Sequence, residues 1–225
     1  MLNYEVPTEV LTPRLPRGVE LDLWQGKALV SLVGFRFLHT RVKGIVLPGH
    51  RDFDEVNLRF YVRRRMPDGW RRGVVFVREL VPRPLIAAVA RVCYGEPYLA
   101  VPMRHRIEPA AGTPRRVEYG WSLRGEACHL RVETVGELRP LCPGEEAEFI
   151  TEHYWGYTAR RDGSTSEYEV AHPPWRVIEA RGASFSAPVA ELYGAEFREA
   201  LCGQPASAFL AEGSAVTVYQ GGRLP

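Results

Sequence analysis

Residues 53–62 read Phe-Asp-Glu-Val-Asn-Leu-Arg-Phe-Tyr-Val, and from Glu55 onward the chain separates into two parities. Odd positions hold Glu55, Asn57, Arg59 and Tyr61, while even positions hold Val56, Leu58, Phe60 and Val62. A strand turns successive side chains to opposite faces, so this segment has one apolar face and one carrying an acid, an amide, a base and a phenol. An ordinary solvated strand face carries looser chemistry, such as Thr, Lys and Ser. These four groups are instead suited to fixing a small polar molecule.

The same pattern reading predicts the other elements. Pro7 to Pro16 is punctuated by proline and holds at most a short helical turn. Val19–Trp24 and Ala28–Leu38 read as strands around Gln25-Gly26-Lys27, the second apolar on both faces, and together they suggest a hairpin. Residues 41–52 form a loop. The strand 53–64 turns at Met66-Pro67-Asp68-Gly69 and returns as Trp70–Leu80. Pro84–Cys93, Ala-rich with proline at its start, is the best helix candidate. Tyr98–Ile107 is read as a strand, with a turn at residues 111–114. Arg116–Leu123 and Cys128–Val135 form a second hairpin around Arg124-Gly125-Glu126. After a loop at 136–144, Glu145–His153 suits a helix. Tyr154–Arg160 and Tyr168–Val170 pair across Asp162-Gly163-Ser164, and Trp175–Ala183 and Ser214–Tyr219 complete the strands. Many strands at short spacing with one or two helices predict a mostly β fold: an antiparallel barrel or sandwich.

Composition narrows the function classes. The 225 residues show no repeat and no compositional break, which points to a single domain over residues 1–225. A net charge of +2 gives no reason to expect nucleic acid as a partner. No apolar run reaches membrane-spanning length, and the start lacks a basic region followed by an apolar core, so a cytoplasmic setting is expected. Cys93, Cys128, Cys142 and Cys202 have no CxxC spacing and read as reduced, mostly buried thiols. His105, His153 and His172 share no ligand spacing, so no metal is expected. P-loop, GxGxxG, GxSxG and HExxH signatures are absent, and no cofactor is expected.

Four further segments carry chemistry. Arg91-Val-Cys-Tyr-Gly-Glu-Pro-Tyr98 leads from a helix end through a turn into a strand, a junction that can aim Tyr98 into a cavity. The plainer alternative is a core tyrosine with its hydroxyl satisfied. Phe149-Ile-Thr-Glu-His153 and His172-Pro-Pro-Trp175 each offer a histidine as a proton carrier. Arg63-Arg64-Arg65 with Arg71-Arg72 makes a cationic hairpin tip, by default solvated.

Taken in order, these pieces, together with Gly73-Val-Val-Phe-Val77, resemble the DUF2071 or YqjF-like family of uncharacterised bacterial proteins. That family is similar in fold to acetoacetate decarboxylase, which implies a closed antiparallel β-barrel with a few peripheral helices and an internal cavity. Such decarboxylases use a lysine to form an imine, with an arginine seven positions earlier and a proline just before the lysine. Arg91, Pro97 and Tyr98 fit that frame, so Tyr98 stands where the resemblance implies the nucleophile, and Glu55 resembles an active-site acid of the decarboxylases. Tyrosine cannot form an imine. Lys27 and Lys43, the only lysines, lie far upstream.

The expected activity is therefore the binding of a small carboxylate or other oxygen-rich metabolite, with Asn57, Arg59, Tyr61 and Arg91 as ligand-binding candidates. The alternative is a lyase or hydratase without imine chemistry, with Glu55 as base, Tyr98 or His172 as proton donor and Arg59 stabilising an enolate. A structural or interaction protein, acting through the arginine-rich tip or through a homo-oligomer interface, is the third reading.

Overall fold

A computed structural model describes residues 1–39, 52–93, 95–108 and 115–224. The strands are β1 (Leu2–Val6), β2 (Glu20–Leu21), β3 (Ala28–Phe37), β4 (Phe53–Met66), β5 (Gly69–Val81), β6 (Tyr98–Ala100), β7 (Met103–Glu108) and β8 (Arg116–Leu123). They continue with β9 (Glu126–Thr134), β10 (Trp155–Ala159), β11 (Thr165–Ala171), β12 (Val177–Ser186), β13 (Ser207–Ala211), β14 (Thr217–Val218) and β15 (Gly222–Leu224). Helices are short: α1 (Thr8–Leu11), α2 (Pro84–Cys93), α3 (Glu146–Thr151), α4 (Val189–Leu192) and α5 (Arg198–Leu201).

Hydrogen-bonded neighbours run β14-β11-β10-β5-β4-β3-β1-β13-β12-β9-β8-β7. The fold is mostly β, as the alternation predicts, but the path has two ends, and among the described residues no pairing joins them. The expected closed barrel is corrected to an open sheet. Closure needs a partner for every edge; β14 has only two residues, both exposed, and β7 carries exposed Arg104, His105 and Arg106. Charge on an edge strand discourages further pairing. Nor is the sheet wholly antiparallel, since β5 pairs in parallel with β6 and with β10.

The β4–β5 hairpin, the β8–β9 hairpin and the β10–β11 hairpin match expectation. The hairpin expected between residues 19 and 38 does not form. Both edges of β3 are taken by β1 and β4, so β2 pairs with β4 instead. The strand expected at Tyr98–Ile107 is cut at Val101-Pro102, because proline lacks the amide N–H a ladder requires. Its first part joins β5 and its second joins β8. The loop at 41–52 (all but residue 52) and the turn at 111–114 lie outside the described residues, as do Lys43 and His50.

The even side of β4 forms the core: Val56, Leu58, Phe60 and Val62 are fully buried. The sheet folds over on this side, so β8 and β9 pack against β3. The contact is close at Gly34, opposite Val56, where an added Cβ would lie 2.5 Å from Tyr119 Cδ2 and 3.2 Å from Leu130 Cδ2. Cys128 is buried here, whereas Cys142 and Cys202 are exposed, which corrects the expectation of mostly buried thiols. Gly34→Ala is expected to destabilise the fold by about 1–3 kcal/mol in urea unfolding, because the neighbouring ring must shift. Gly182→Ala, where the nearest atoms lie 3.9 Å away, is expected to be near neutral. Equal losses at both glycines would refute this account of the core.

Candidate functional site

The odd side of β4 is enclosed as well: Glu55 is 1% exposed, Asn57 2% and Tyr61 1%. Its polar groups are therefore not a solvated face. Glu79 of β5, 1% exposed, sits directly opposite Asn57. A β-bulge puts it there. Leu58 pairs with Arg78 but Arg59 pairs with Phe76, so β5 carries one extra residue at this point. Strict alternation from Val74 and Phe76 would bring Arg78 to this face and send Glu79 to the other. The extra residue reverses that order, and Arg78 instead donates from Nε to Leu192 O at 3.0 Å.

Parallel pairing with β6 then places Tyr98 beside Glu79. The Tyr98 hydroxyl donates to Glu55 Oε2 at 3.1 Å, and Asn57 Nδ2 donates to Glu55 Oε1 at 3.0 Å. Glu96, in the turn before β6, accepts from the Tyr168 hydroxyl at 2.5 Å. Tyr168 pairs with Gly156 on β10, where an added Cβ would collide with its ring. Glycine is needed there for the ring to cross the strand toward Glu96. The result is a group of three carboxyls and two phenols with Asn57. Glu79 Oε2 and Asn57 Oδ1 are buried in it without a hydrogen-bond partner.

Charge on this group is strongly disfavoured. Burial, reinforced by Glu96, pushes the Glu55 carboxyl up to about 7 against the pull of Asn57, Tyr98 and Arg59. Burial likewise raises Glu96 to about 7, opposed by the bond from Tyr168. Burial and the neighbouring Glu96 and Glu55 hold Glu79 well above the usual carboxylate range, against the pull of a hydrogen bond from Tyr98. Burial and the same three acids raise the Tyr98 phenol, so it serves as a neutral hydrogen-bond donor.

Arg59 lies on the same side of β4 and is half-buried. Its Nη2 donates to Ile150 O at 3.3 Å, its guanidinium lies 5.7 Å from the Tyr61 ring centroid, and its Nε has no partner. Among the described residues it makes no salt bridge. Glu55 is thus held by Asn57 and Tyr98, not locked to Arg59.

The other candidates go elsewhere. The Tyr61 hydroxyl bonds Ser31 Oγ at 2.5 Å, which in turn donates to Asn3 Oδ1 at 2.6 Å, a buried structural chain. Arg91 is exposed and its Nε donates to Ala87 O on its own helix at 3.1 Å, so it does not join the carboxyl group. His172 stacks on Trp175 with ring centroids 4.1 Å apart and meets Tyr154 at 4.8 Å, rather than Glu55 or Tyr98. His153 bonds Asp22 Oδ2 at 3.2 Å; burial lowers its pKa to about 4, so its ring is neutral. The hairpin tip is largely neutralised: Arg63 pairs with Glu20, Arg64 and Arg71 with Glu167, and Arg72 with Asp22. Two surface clefts lie away from the carboxyls. One of about 230 Å³ includes Leu141, Glu152 and Trp175; one of about 340 Å³ includes Arg104, His105 and Glu118. No cluster of three or more His, Cys, Asp or Glu among the described residues is arranged to hold a metal ion.

Glu79, Glu96 and Tyr168 were not singled out by the sequence reading. Glu79 was hidden by the bulge. Glu96 had a signal, since it sits in the Gly-Glu-Pro turn just before Tyr98.

A raised carboxyl pKa makes stability depend on pH. Between the ordinary value of 4.5 and about 7, the folded chain keeps protons that the unfolded chain has released. Stability therefore falls as pH rises through that window. Glu55→Gln is expected to flatten the fall and to stabilise the protein by roughly 1–3 kcal/mol above neutral pH. Urea unfolding across the window, showing equal pH slopes for both proteins, would contradict this assignment.

Comparison with known proteins agrees with the fold. The uncharacterised protein YqjF of Bacillus subtilis (strain 168) is 25% identical over 185 residues, covering 79% of this chain and 71% of that protein. The enduracididine biosynthesis enzyme MppR, solved with HEPES buffer bound, superposes with a TM-score of 0.65 at 14% identity over 99% of this chain and 84% of that chain. Acetoacetate decarboxylase from Legionella pneumophila superposes with a TM-score of 0.62, also at 14% identity, over 100% of this chain and 83% of that chain. The fold is therefore of the acetoacetate decarboxylase type. The model of the DUF2071 family, a family of uncharacterized conserved proteins, matches residues 1–215, and the chain belongs to that family.

Proposed function

We propose that this chain binds a small carboxylate or similarly oxygen-rich metabolite on the odd side of β4. The observation that carries the reading is Arg59: a half-buried guanidinium with an unpartnered Nε and, among the described residues, no salt bridge, on the same strand side as Asn57 and Glu55. A planar guanidinium presents paired donors that match a carboxylate, and leaving one without an anion forgoes that interaction. Imine-based decarboxylation is not part of the proposal. Tyr98 occupies the position where the family resemblance implies a lysine, and Lys27 is exposed and paired with Glu5 at 2.8 Å.

A second reading is favoured by one specific observation. Glu55 combines a pKa near 7 with freedom from Arg59, which suits proton transfer at neutral pH. In that case the protein moves a proton next to the bound carbonyl or carboxylate, with Tyr98 donating a hydrogen bond.

Titration calorimetry with butanoate, 2-oxobutanoate and acetoacetate tests the binding reading. Saturable binding is expected for the wild type, weakened about tenfold or more in Arg59→Gln, the scale of one charge-assisted hydrogen bond. An affinity unchanged by that substitution sinks the role of Arg59. For the second reading, deuterium uptake by the bound oxo acids in heavy water should be catalysed by the wild type and abolished in Glu55→Gln.

A further inference from the structure

The unpaired polar atoms on this side of β4 are of two kinds. Glu79 Oε2 and Asn57 Oδ1, on residues paired across the β4–β5 ladder, lack hydrogen-bond partners among the described residues. Both residues are at least nine-tenths buried. Arg59 Nε, two residues along the same strand side, is a donor without an acceptor. Two positions along a strand span about 7 Å.

The carboxyls also lack cations. Glu55, Glu79 and Glu96 are buried together, and among the described residues Arg59 is the cation whose charge reaches Glu55. No salt bridge among the described residues involves any of the three. Glu55 takes donors from Asn57 and Tyr98, and Glu96 takes one from Tyr168. By itself this buried group of acids meets its demand with protons rather than with a paired cation. An ammonium group brings three donors and one positive charge.

We infer that the ligand is zwitterionic: its carboxylate is held by Arg59, and its ammonium group is held by the Glu79, Asn57 and Glu55 oxygens further along the same strand side. This inference rests on the Arg59 reading above and adds the second half of the molecule. The spacing suits an ω-amino acid of about four or five carbons better than an α-amino acid, whose two charges lie too close together to reach both ends. The seat for the cation also accounts for why the chain keeps Glu79 on this side at all. A bulge that turned a carboxyl inward with nothing to bind would only weaken the fold.

Calorimetry on the intact protein with three matched probes decides the matter: 4-aminobutanoate, butanoate and butylamine. The expected order is 4-aminobutanoate tightest, by about tenfold or more over either half-molecule, the scale of one charged contact. Glu79→Gln should lower affinity for 4-aminobutanoate by about tenfold and leave butanoate within about twofold. The matched probes on the wild type give the same answer without any variant, should that substitution perturb folding. Butanoate binding as tightly as 4-aminobutanoate overturns the zwitterion while leaving Arg59 as a carboxylate anchor. Failure of all three probes overturns the zwitterion, and failure of the oxo acids as well removes the Arg59 reading with it.

Discussion

Taking a carboxylate out of water costs several kcal/mol unless cations or donors replace the lost hydration. The odd side of β4 meets this constraint in an unusual way. It gathers Glu55, Glu79 and Glu96 in one buried group, supplies three hydrogen bonds from Asn57, Tyr98 and Tyr168, and leaves the remaining demand to protons. Burial raises Glu55 and Glu96 to about 7 and holds Glu79 well above the usual carboxylate range, so small changes in charge nearby alter the group's protonation. The surrounding architecture can be understood as what is needed to hold such a group in place.

The opposite side of the same strand supplies the holding force. Val56, Leu58, Phe60 and Val62 are sealed between β3, β5 and the folded-over β8 and β9. Burial of one such side chain contributes about 1.5–3 kcal/mol, so a row of four can offset the cost of a strained polar face on the reverse. The bulge in β5 is the local device that couples the two. It keeps the apolar register on the core side while moving one glutamate to the polar side. The parallel β5–β6 pairing then delivers Tyr98, and the gap at Gly156 lets Tyr168 reach across β10.

Similarity to acetoacetate decarboxylase and to MppR extends to the fold and stops there at 14% identity. What the chain does depends on its own site. With a phenol at the position the family resemblance assigns to an amine, the proposed chemistry is hydrogen bonding, electrostatic anchoring and proton transfer. The carboxyl group and Arg59, whose Nε lacks a partner, are the two ends of that proposal.

Much of this was legible in the residues alone. The parity of residues 55–62 identified the strand, its core face and its polar face, because alternation is a local property of extended backbone. Turn residues located the β4–β5, β8–β9 and β10–β11 hairpins for the same reason. The family resemblance placed Tyr98 near Glu55, and their hydroxyl-to-carboxyl bond follows from β5 lying between them. What only the tertiary structure decided was non-local. The edges of β3 were claimed by β1 and β4, which cancelled a hairpin that looked plausible in isolation. Arg91 and Tyr61 carried suitable groups but were turned to other partners by packing. Glu79 and Glu96 came together through an extra residue in β5 and a strand paired in parallel, neither of which leaves a periodic trace in sequence. Alternation tells which side a side chain takes on a regular strand; where the ladder slips by one residue, only the partner strand determines it.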